Sequence, residues 1–231
     1  MFLQLLEGLR QRIPSQCAVC RSWPSQPVCE ACVGEFAQPV HRCHTCAIPV
    51  VGNMPQCGDC IAEPPPMDQC IAAVAYAYPW SGLVAQFKFQ AHTGWAGSFA
   101  TLLRSAPWVE PALEAADLLI PMPLSSQRLR ERGFNQTLLL ARALAPGKVA
   151  HGLLLRIRDT PPQRSLPRDE RLRSVQDAYA VDPLKVAALR GKRVVLLDDV
   201  MTSGASLHAA ARALREAGAS HIAAMVLART E

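Results

Sequence analysis

Apolar runs without alternation mark the buried strands of this chain, and polar residues gather at their ends. Val194–Leu197 is four apolar residues in a row, suited to a strand buried on both faces, with Asp198 and Asp199 at its carboxyl end. Leu207, Ala210, Ala211 and Leu214 follow at i, i+3, i+4 and i+7, which predicts a helix with Ser206 as its N-cap and Gly218 as its stop. His221–Ala228 is apolar enough to be the next parallel strand. Upstream, Ile71–Tyr78 and Leu118–Met122 read as two further strands. Gly82–Leu103, with Phe99, Leu102 and Leu103 at helix spacing, reads as a helical cap over the sheet. Another helix is expected through Leu138, Leu139 and Leu144 to Pro146, with Asn135 either its cap or a site residue. At the amino end Phe2, Leu3, Leu5, Leu6 and Leu9 fit one face of a short helix packed on the body of the protein.

The amino-terminal quarter is different: it is poor in aliphatic residues and cannot bury much core. Eight of the nine cysteines fall there in four pairs of one spacing, Cys17/Cys20, Cys29/Cys32, Cys43/Cys46 and Cys57/Cys60. Two residues between thiolates let both point at one ion from a tight turn, and two such knuckles complete a tetrahedral site of four cysteines. Eight ligands therefore imply two zinc ions, whose binding supplies the folding free energy of the segment. A disulfide framework is the competing reading, disfavoured because no export signal is visible. Sequential pairing, a double zinc ribbon, is favoured over an alternating cross-brace. His41 and His44 flank Cys43 as surface residues, and Cys70 is a small buried one. Glu63-Pro64-Pro65-Pro66-Met67 is a semi-rigid spacer, which divides the chain into residues 1–64 and 65–231.

Composition and charge narrow the classes. Half of the 231 residues are apolar, enough for a packed core in one domain or two. No apolar run reaches the roughly 18–20 residues of a membrane span, and Met1–Arg12 lacks a signal-peptide pattern. A cytoplasmic protein is expected. Its net charge of +5 is local: residues 121–175 hold eleven Arg and Lys against four Asp and Glu, and the remainder thirteen against fifteen. Between Arg156 and Arg173 prolines and charges replace apolar residues, which reads as a long mobile loop. A basic loop of this kind suits a pyrophosphate or the backbone of single-stranded DNA.

Candidate chemistry centres on Val194–Ser206. Two adjacent carboxylates above a loop of hydroxyls and a glycine can accept hydrogen bonds from neighbouring ribose hydroxyls, while backbone N–H groups at the helix start hold a phosphate. That describes a ribose 5-phosphate pocket. A second constellation follows Leu118–Met122: Pro121, Met122, Pro123 and Leu124, then Arg128, Arg130 and Arg132 before Gly133-Phe134-Asn135-Gln136. Its arginines offer bidentate donors to phosphate oxygens. Lys88 is a candidate phosphate contact or a solvated lysine. Trp80, Trp95 and Trp108 are expected to pack rather than to stack on bases.

The stretch Asp198-Asp199-Val200-Met201-Thr202-Ser203-Gly204-Ala205-Ser206 resembles the signature of the type I phosphoribosyltransferases. On that resemblance Asp198 and Asp199 hold the ribose hydroxyls of phosphoribosyl pyrophosphate, Thr202, Ser203, Gly204, Ala205 and Ser206 its 5-phosphate, and the Pro121–Pro123 loop its pyrophosphate. Together with the paired cysteines, Arg130-Glu131-Arg132-Gly133-Phe134-Asn135-Gln136, Thr160–Gln163 and Glu170–Val175, the pattern resembles the ComF family of competence and DNA-utilisation proteins. Ser174 stands where that family has Asn, and Ser203 where it has Thr. The resemblance implies an α/β fold, a parallel-sheet phosphoribosyltransferase-like domain preceded by a small zinc ribbon. It implies Mg²⁺ bound with phosphoribosyl pyrophosphate, and Arg171 near the pyrophosphate. Three functions stay open: a Mg²⁺-dependent transferase whose acceptor is not visible; a sensor or handler of single-stranded DNA that keeps the pocket without turnover; and a zinc-ribbon adaptor for a DNA-translocation helicase. In each, removing residues 1–64 is expected to spare the pocket.

Overall fold

The protein's structure, a computed structural model, describes residues 15–158 and 177–231. The expected amino-terminal helix and nearly all of the expected basic loop, with Arg171 and Ser174, lie outside the described residues. The chain forms two compact units, Met1–Gln38 and Pro39–Glu231.

In the first unit the backbone turns tightly through Cys17–Cys20, with Arg21 N–H returning to the Cys17 carbonyl. Helix α1 (Glu30–Phe36) starts immediately after Cys29. The second unit opens with a similar turn at Cys43–Cys46, closed by Ala47 N–H on the Cys43 carbonyl, and a short helix α2 (Gly58–Ala62) after Cys57. It continues as β1 (Gln69–Ala75), α3 (Trp80–Phe89), α4 (Trp95–Ser105), α5 (Val109–Ala115), β2 (Leu118–Pro121), α6 (Ser126–Arg132) and α7 (Gln136–Leu144). A hairpin of β3 (Leu154–Arg156) and β4 (Tyr179–Val181) precedes β5 (Arg193–Met201), α8 (Ala205–Glu216) and β6 (His221–Arg229).

Four strands form one parallel sheet in the order β1-β6-β5-β2. Helices cover both faces, so the strands are continuously apolar, as in other parallel sheets. One face carries α8, whose Leu207, Ala210, Ala211 and Leu214 are buried together with Ile222, Ala224 and Val226 of β6. On the other, α4 packs on α7 and β1, and α7 packs on β2 and β5, with Phe99, Leu103, Leu140 and Leu144 fully buried. Each such side chain contributes about 1.5–3 kcal/mol by its burial. Because all four strands run one way, their carboxyl ends meet at one edge, where open α/β sheets bind ligands.

Three local expectations change. The helical stretch after β1 is two helices, broken at residues 90–94 where Ala91 turns left-handed (φ 54°). Trp80 is buried and Trp95 stacks on Phe99 at 5.5 Å, but Trp108, itself left-handed, is 69% exposed. The third change is at α8, which begins two residues early. Gly204 (φ 81°) takes the flanking position, so Ser206 lies in the first turn and does not cap it. A Cβ at Gly204 would sit 2.6 Å from the Met201 methyl carbon and 2.8 Å from His208 Nε2, which reserves that corner for glycine.

Candidate functional site

A cleft of about 1060 Å³ opens at the carboxyl edge of the sheet. Asp198 and Asp199, where β5 runs out, line it with Thr202, Gly204, Ala205 and Ser206 of the loop into α8. Met122 and Pro123 after β2, and Arg128 and Arg132 of α6, line it as well. Pro121 is the last residue of β2, in register with Leu197, and Met122 N–H extends that pairing to the Leu197 carbonyl (2.8 Å). Ser203 is the one residue of the expected phosphate loop that is absent from the lining. Its hydroxyl accepts the Ala205 N–H (3.4 Å) and shapes the turn.

The two acids have different surroundings. Asp199 is 2% exposed; its Oδ1 accepts from Lys88 Nζ and its Oδ2 from Gln136 Nε2, both at 2.8 Å. Gln136 Oε1 accepts in turn from Arg132 Nη1 (3.0 Å), so a chain of hydrogen bonds runs from α6 through α7 to β5 and α3. Burial alone would lower the Lys88 pKa, but the carboxylates of Asp199 and Asp198 outweigh it and hold the ammonium charged. Asp198 is partly exposed in the cleft, and its Oδ1 accepts the Asp199 N–H (2.8 Å). Desolvation, then the neighbouring Asp199 charge, push its carboxyl up to about 7. Asp199 is thus a fixed anchor, and Asp198 is the acid that can gain or lose a proton near neutrality.

Positioning comes from local structure. Asn135 caps α7 by accepting from the N–H groups of Thr137 and Leu138, and its Nδ2 donates to the Met122 carbonyl (3.0 Å). Thr137 Oγ1 donates to the same carbonyl (2.9 Å), so the cap also pins the loop after β2. Ser125 caps α6, Gly133 (φ 75°) ends it, and Arg128 and Arg132 share its cleft side. The Arg132 guanidinium lies 5.0 Å over the Phe89 ring, a residue 58% exposed at the cleft.

Each of the two cysteine groups, Cys17/Cys20/Cys29/Cys32 and Cys43/Cys46/Cys57/Cys60, has its four sulfurs within 4.8 Å of one another, the sequential pairing. Cys17–Cys32 are 3.9 Å apart, Cys20–Cys29 3.6 Å and Cys46–Cys57 3.7 Å. Thiolates about 2.3 Å from a tetrahedral zinc would stand about 3.8 Å apart. Each group can therefore hold one zinc ion. Desolvation opposes ionisation of Cys17 and Cys43, but backbone N–H groups aimed at each sulfur prevail and bring both down to about 6. Cys70 lies outside both groups; burial pushes its thiol up to about 12. His41 and His44 are exposed and lie outside the cysteine groups.

Residues 160–231 match the phosphoribosyl transferase domain family. Competence protein F of Haemophilus influenzae is 31% identical over 183 residues, covering 75% of this chain and 78% of that protein. The chain belongs to the ComF family. DNA utilization protein YhgH of Salmonella typhimurium is 29% identical over 232 residues, with 94% of this chain and 98% of the relative aligned. Competence protein ComFC of Bacillus subtilis is 29% identical over 215 residues, or 90% and 86% of the two chains. Among solved structures, a glutamine phosphoribosylpyrophosphate amidotransferase from B. subtilis aligns with a TM-score of 0.37 at 20% identity, over 58% of this chain and 26% of that one. By its parallel sheet and its family match, this ComF chain joins a phosphoribosyltransferase-like domain to four-cysteine groups of zinc-ribbon type.

Of the residues singled out in the sequence, Pro121–Leu124, Arg128, Arg132 and the stretch from Asp198 to Ser206 converge on one edge of the sheet, whereas Arg130 is exposed and outside the cleft lining. Lys88 reaches the site as the partner of Asp199. Gln136, named in the sequence only as the end of the Arg130–Gln136 motif, lines the cleft as well, together with Phe89, Arg156 and Tyr179, to which the sequence assigned no individual role.

Proposed function

We propose that the cleft binds phosphoribosyl pyrophosphate with Mg²⁺, in a competence protein that handles single-stranded DNA. The observation that carries this reading is the placement of Asp198 and Asp199 at the end of β5, one short loop from the amino end of α8, with Arg128 and Arg132 lining the same cleft. A 5-phosphate fits the loop, where N–H groups of residues 203–206 and the hydroxyls of Thr202 and Ser206 surround the positive end of the twelve-residue helix α8. Asp198 accepts from the ribose hydroxyls, while Asp199, held by Lys88 and Gln136, keeps lone pairs for the same ring. The backbone after Pro121 and the guanidinium groups of Arg128 and Arg132 face the pyrophosphate, with Arg171 a candidate beside them. Mg²⁺, when bound, neutralises pyrophosphate charge, and the carboxylates at the end of β5 are hard oxygen donors of the type it takes.

Single-stranded DNA is favoured as the second ligand by Phe89. Its exposed ring, already stacked under Arg132, and the neighbouring Arg128 combine an aromatic platform with a basic track. Each four-cysteine group holds zinc in this reading, which cross-links its segment and contributes folding free energy. The protein works in the cytoplasm, where thiols stay reduced, and the DNA-translocation helicase suggested by family resemblance would dock on the first cysteine unit.

Calorimetric titration with phosphoribosyl pyrophosphate and Mg²⁺ tests the pocket. Saturable heat in the wild type, absent in the Asp198→Ala, Asp199→Ala double variant, is the expected result. A folded, zinc-loaded wild type that gives no heat would sink the pocket. Pyrophosphate release in the same mixture, with nucleobases or single-stranded DNA added as acceptors, reports turnover.

A further inference from the structure

Arg229, the last residue of β6, is only 7% exposed, and its guanidinium touches two functional regions at once. Nε donates to the carbonyl of Cys46 (3.1 Å), inside the metal-binding turn of the second cysteine group. Nη1 donates to the carbonyls of Met201 (3.3 Å) and Thr202 (2.5 Å), where the phosphate loop leaves β5. The knuckle is tied to the sheet a second time, at the start of β1, by Cys70 N–H on the His44 carbonyl (2.7 Å). Ala47, next to the knuckle, shares one apolar cluster with Cys70, Met201 and Ala205, and Cys46 packs against it. A buried guanidinium is stable only while its donors are met by acceptors, so displacement of one acceptor must be taken up by the others.

We infer that Arg229 couples the second four-cysteine site to the phosphate loop, so that metal binding by Cys43, Cys46, Cys57 and Cys60 sets the order of residues 201–206 and through them the affinity for a phosphorylated sugar. A bound ion fixes the Cys46 carbonyl, that carbonyl fixes the guanidinium, and the guanidinium holds the two loop carbonyls. Arg229 is a positioning residue: it reaches the ligand only through the backbone it holds. Linkage is reciprocal, so a phosphorylated ligand in the loop must slow loss of metal from the second group and leave the first group unaffected. The ligand half of this inference rests on the sugar-phosphate reading above; the loop-ordering half does not.

Hydrogen–deuterium exchange of the zinc-loaded full chain separates the two halves. The readout is the first turn of α8, where His208 N–H is bonded to the Gly204 carbonyl (2.8 Å), with the middle of β5 as the folding control. Cys57→Ser, which impairs the second group, and Arg229→Lys, which keeps all eight thiols, should each speed exchange in that turn by about fivefold or more while β5 stays protected. Cys20→Ser, in the first group, should leave the turn unchanged. If Arg229→Lys exchanges like the wild type, or Cys20→Ser moves the turn as much as Cys57→Ser, the coupling is wrong. A second arm follows zinc release to a chelator with and without phosphoribosyl pyrophosphate and Mg²⁺. Slower release from the second group alone supports the full linkage. If the compound neither gives heat nor slows release while the exchange pattern holds, the sugar-phosphate reading fails and the loop coupling stands.

Discussion

The two four-cysteine groups share a ligand pattern, two Cys-x-x-Cys pairs separated by eight residues in the first group and ten in the second. They differ in what surrounds them. The first stands in a unit of its own, Met1–Gln38, with Cys20 exposed. The second lies in the compact unit of the sheet, where His44 and Cys46 give carbonyls to Cys70 and Arg229 and Ala47 joins the main core. The same local chemistry thus carries different tertiary consequences. On the coupling proposed above, an ion in the second group would brace the edge of the sheet that forms the cleft.

The most severe way to test that contrast is to remove one ligand from each group. Cys60→Ser is expected to destabilise the sheet by about 3 kcal/mol, on the order of 10 °C in Tm for a unit of this size. Cys32→Ser should leave the main melting transition in place. Equal shifts in differential scanning calorimetry would erase the distinction. Truncation asks the same question more coarsely. Removing residues 1–38 should preserve binding of phosphoribosyl pyrophosphate, whereas removal of residues 1–64 takes away the partners of Cys70 and Arg229 and should weaken it about tenfold or more. The proline spacer suggested a cut at 64; the contacts of the knuckle favour one at 38.

The smallest expected effect concerns pH and sharpens the difference between the cleft and the knuckle that braces it. Asp198 is held near 7, so the folded protein binds its proton more tightly than the unfolded chain does. The stability this contributes is present in acid and is lost as pH rises through about 7. Ligand binding has the opposite sign, because ribose hydroxyls need the carboxylate as acceptor. Affinity should rise as pH increases from 6 to 8, by up to about tenfold per unit below the pKa. Titrations across that range should show the slope in the wild type and a flat response in Asp198→Asn.

Much of this was open to inspection in the chain itself. Val194–Leu197 announced a doubly covered strand because a parallel sheet with helices on both faces leaves no polar side for alternation. Cys-x-x-Cys announced a chelating turn because two residues are what a tight turn needs to bring two thiolates to one ion. Asp198 to Ser206 could be read as a sugar-phosphate loop because strand, loop and helix start are contiguous. All of these rest on neighbours within about a dozen residues.

What the chain could not disclose depends on contacts between distant residues. Lys88 meets Asp199 across 111 positions, Gln136 meets it across 63, and Arg229 meets Cys46 across 183. No periodicity encodes such pairs, because they are set by the sheet order β1-β6-β5-β2 and by which strand ends it brings together. Sequence alone determined the ligand types, the parallel α/β class and the loop that suits a phosphate. Only the tertiary structure decided which acid is anchored by Lys88 and Gln136, and that the second cysteine group is hydrogen-bonded to the strand end beside the cleft. Hydrogen bonds and desolvation act over a few ångströms of space, however far apart the residues lie along the chain.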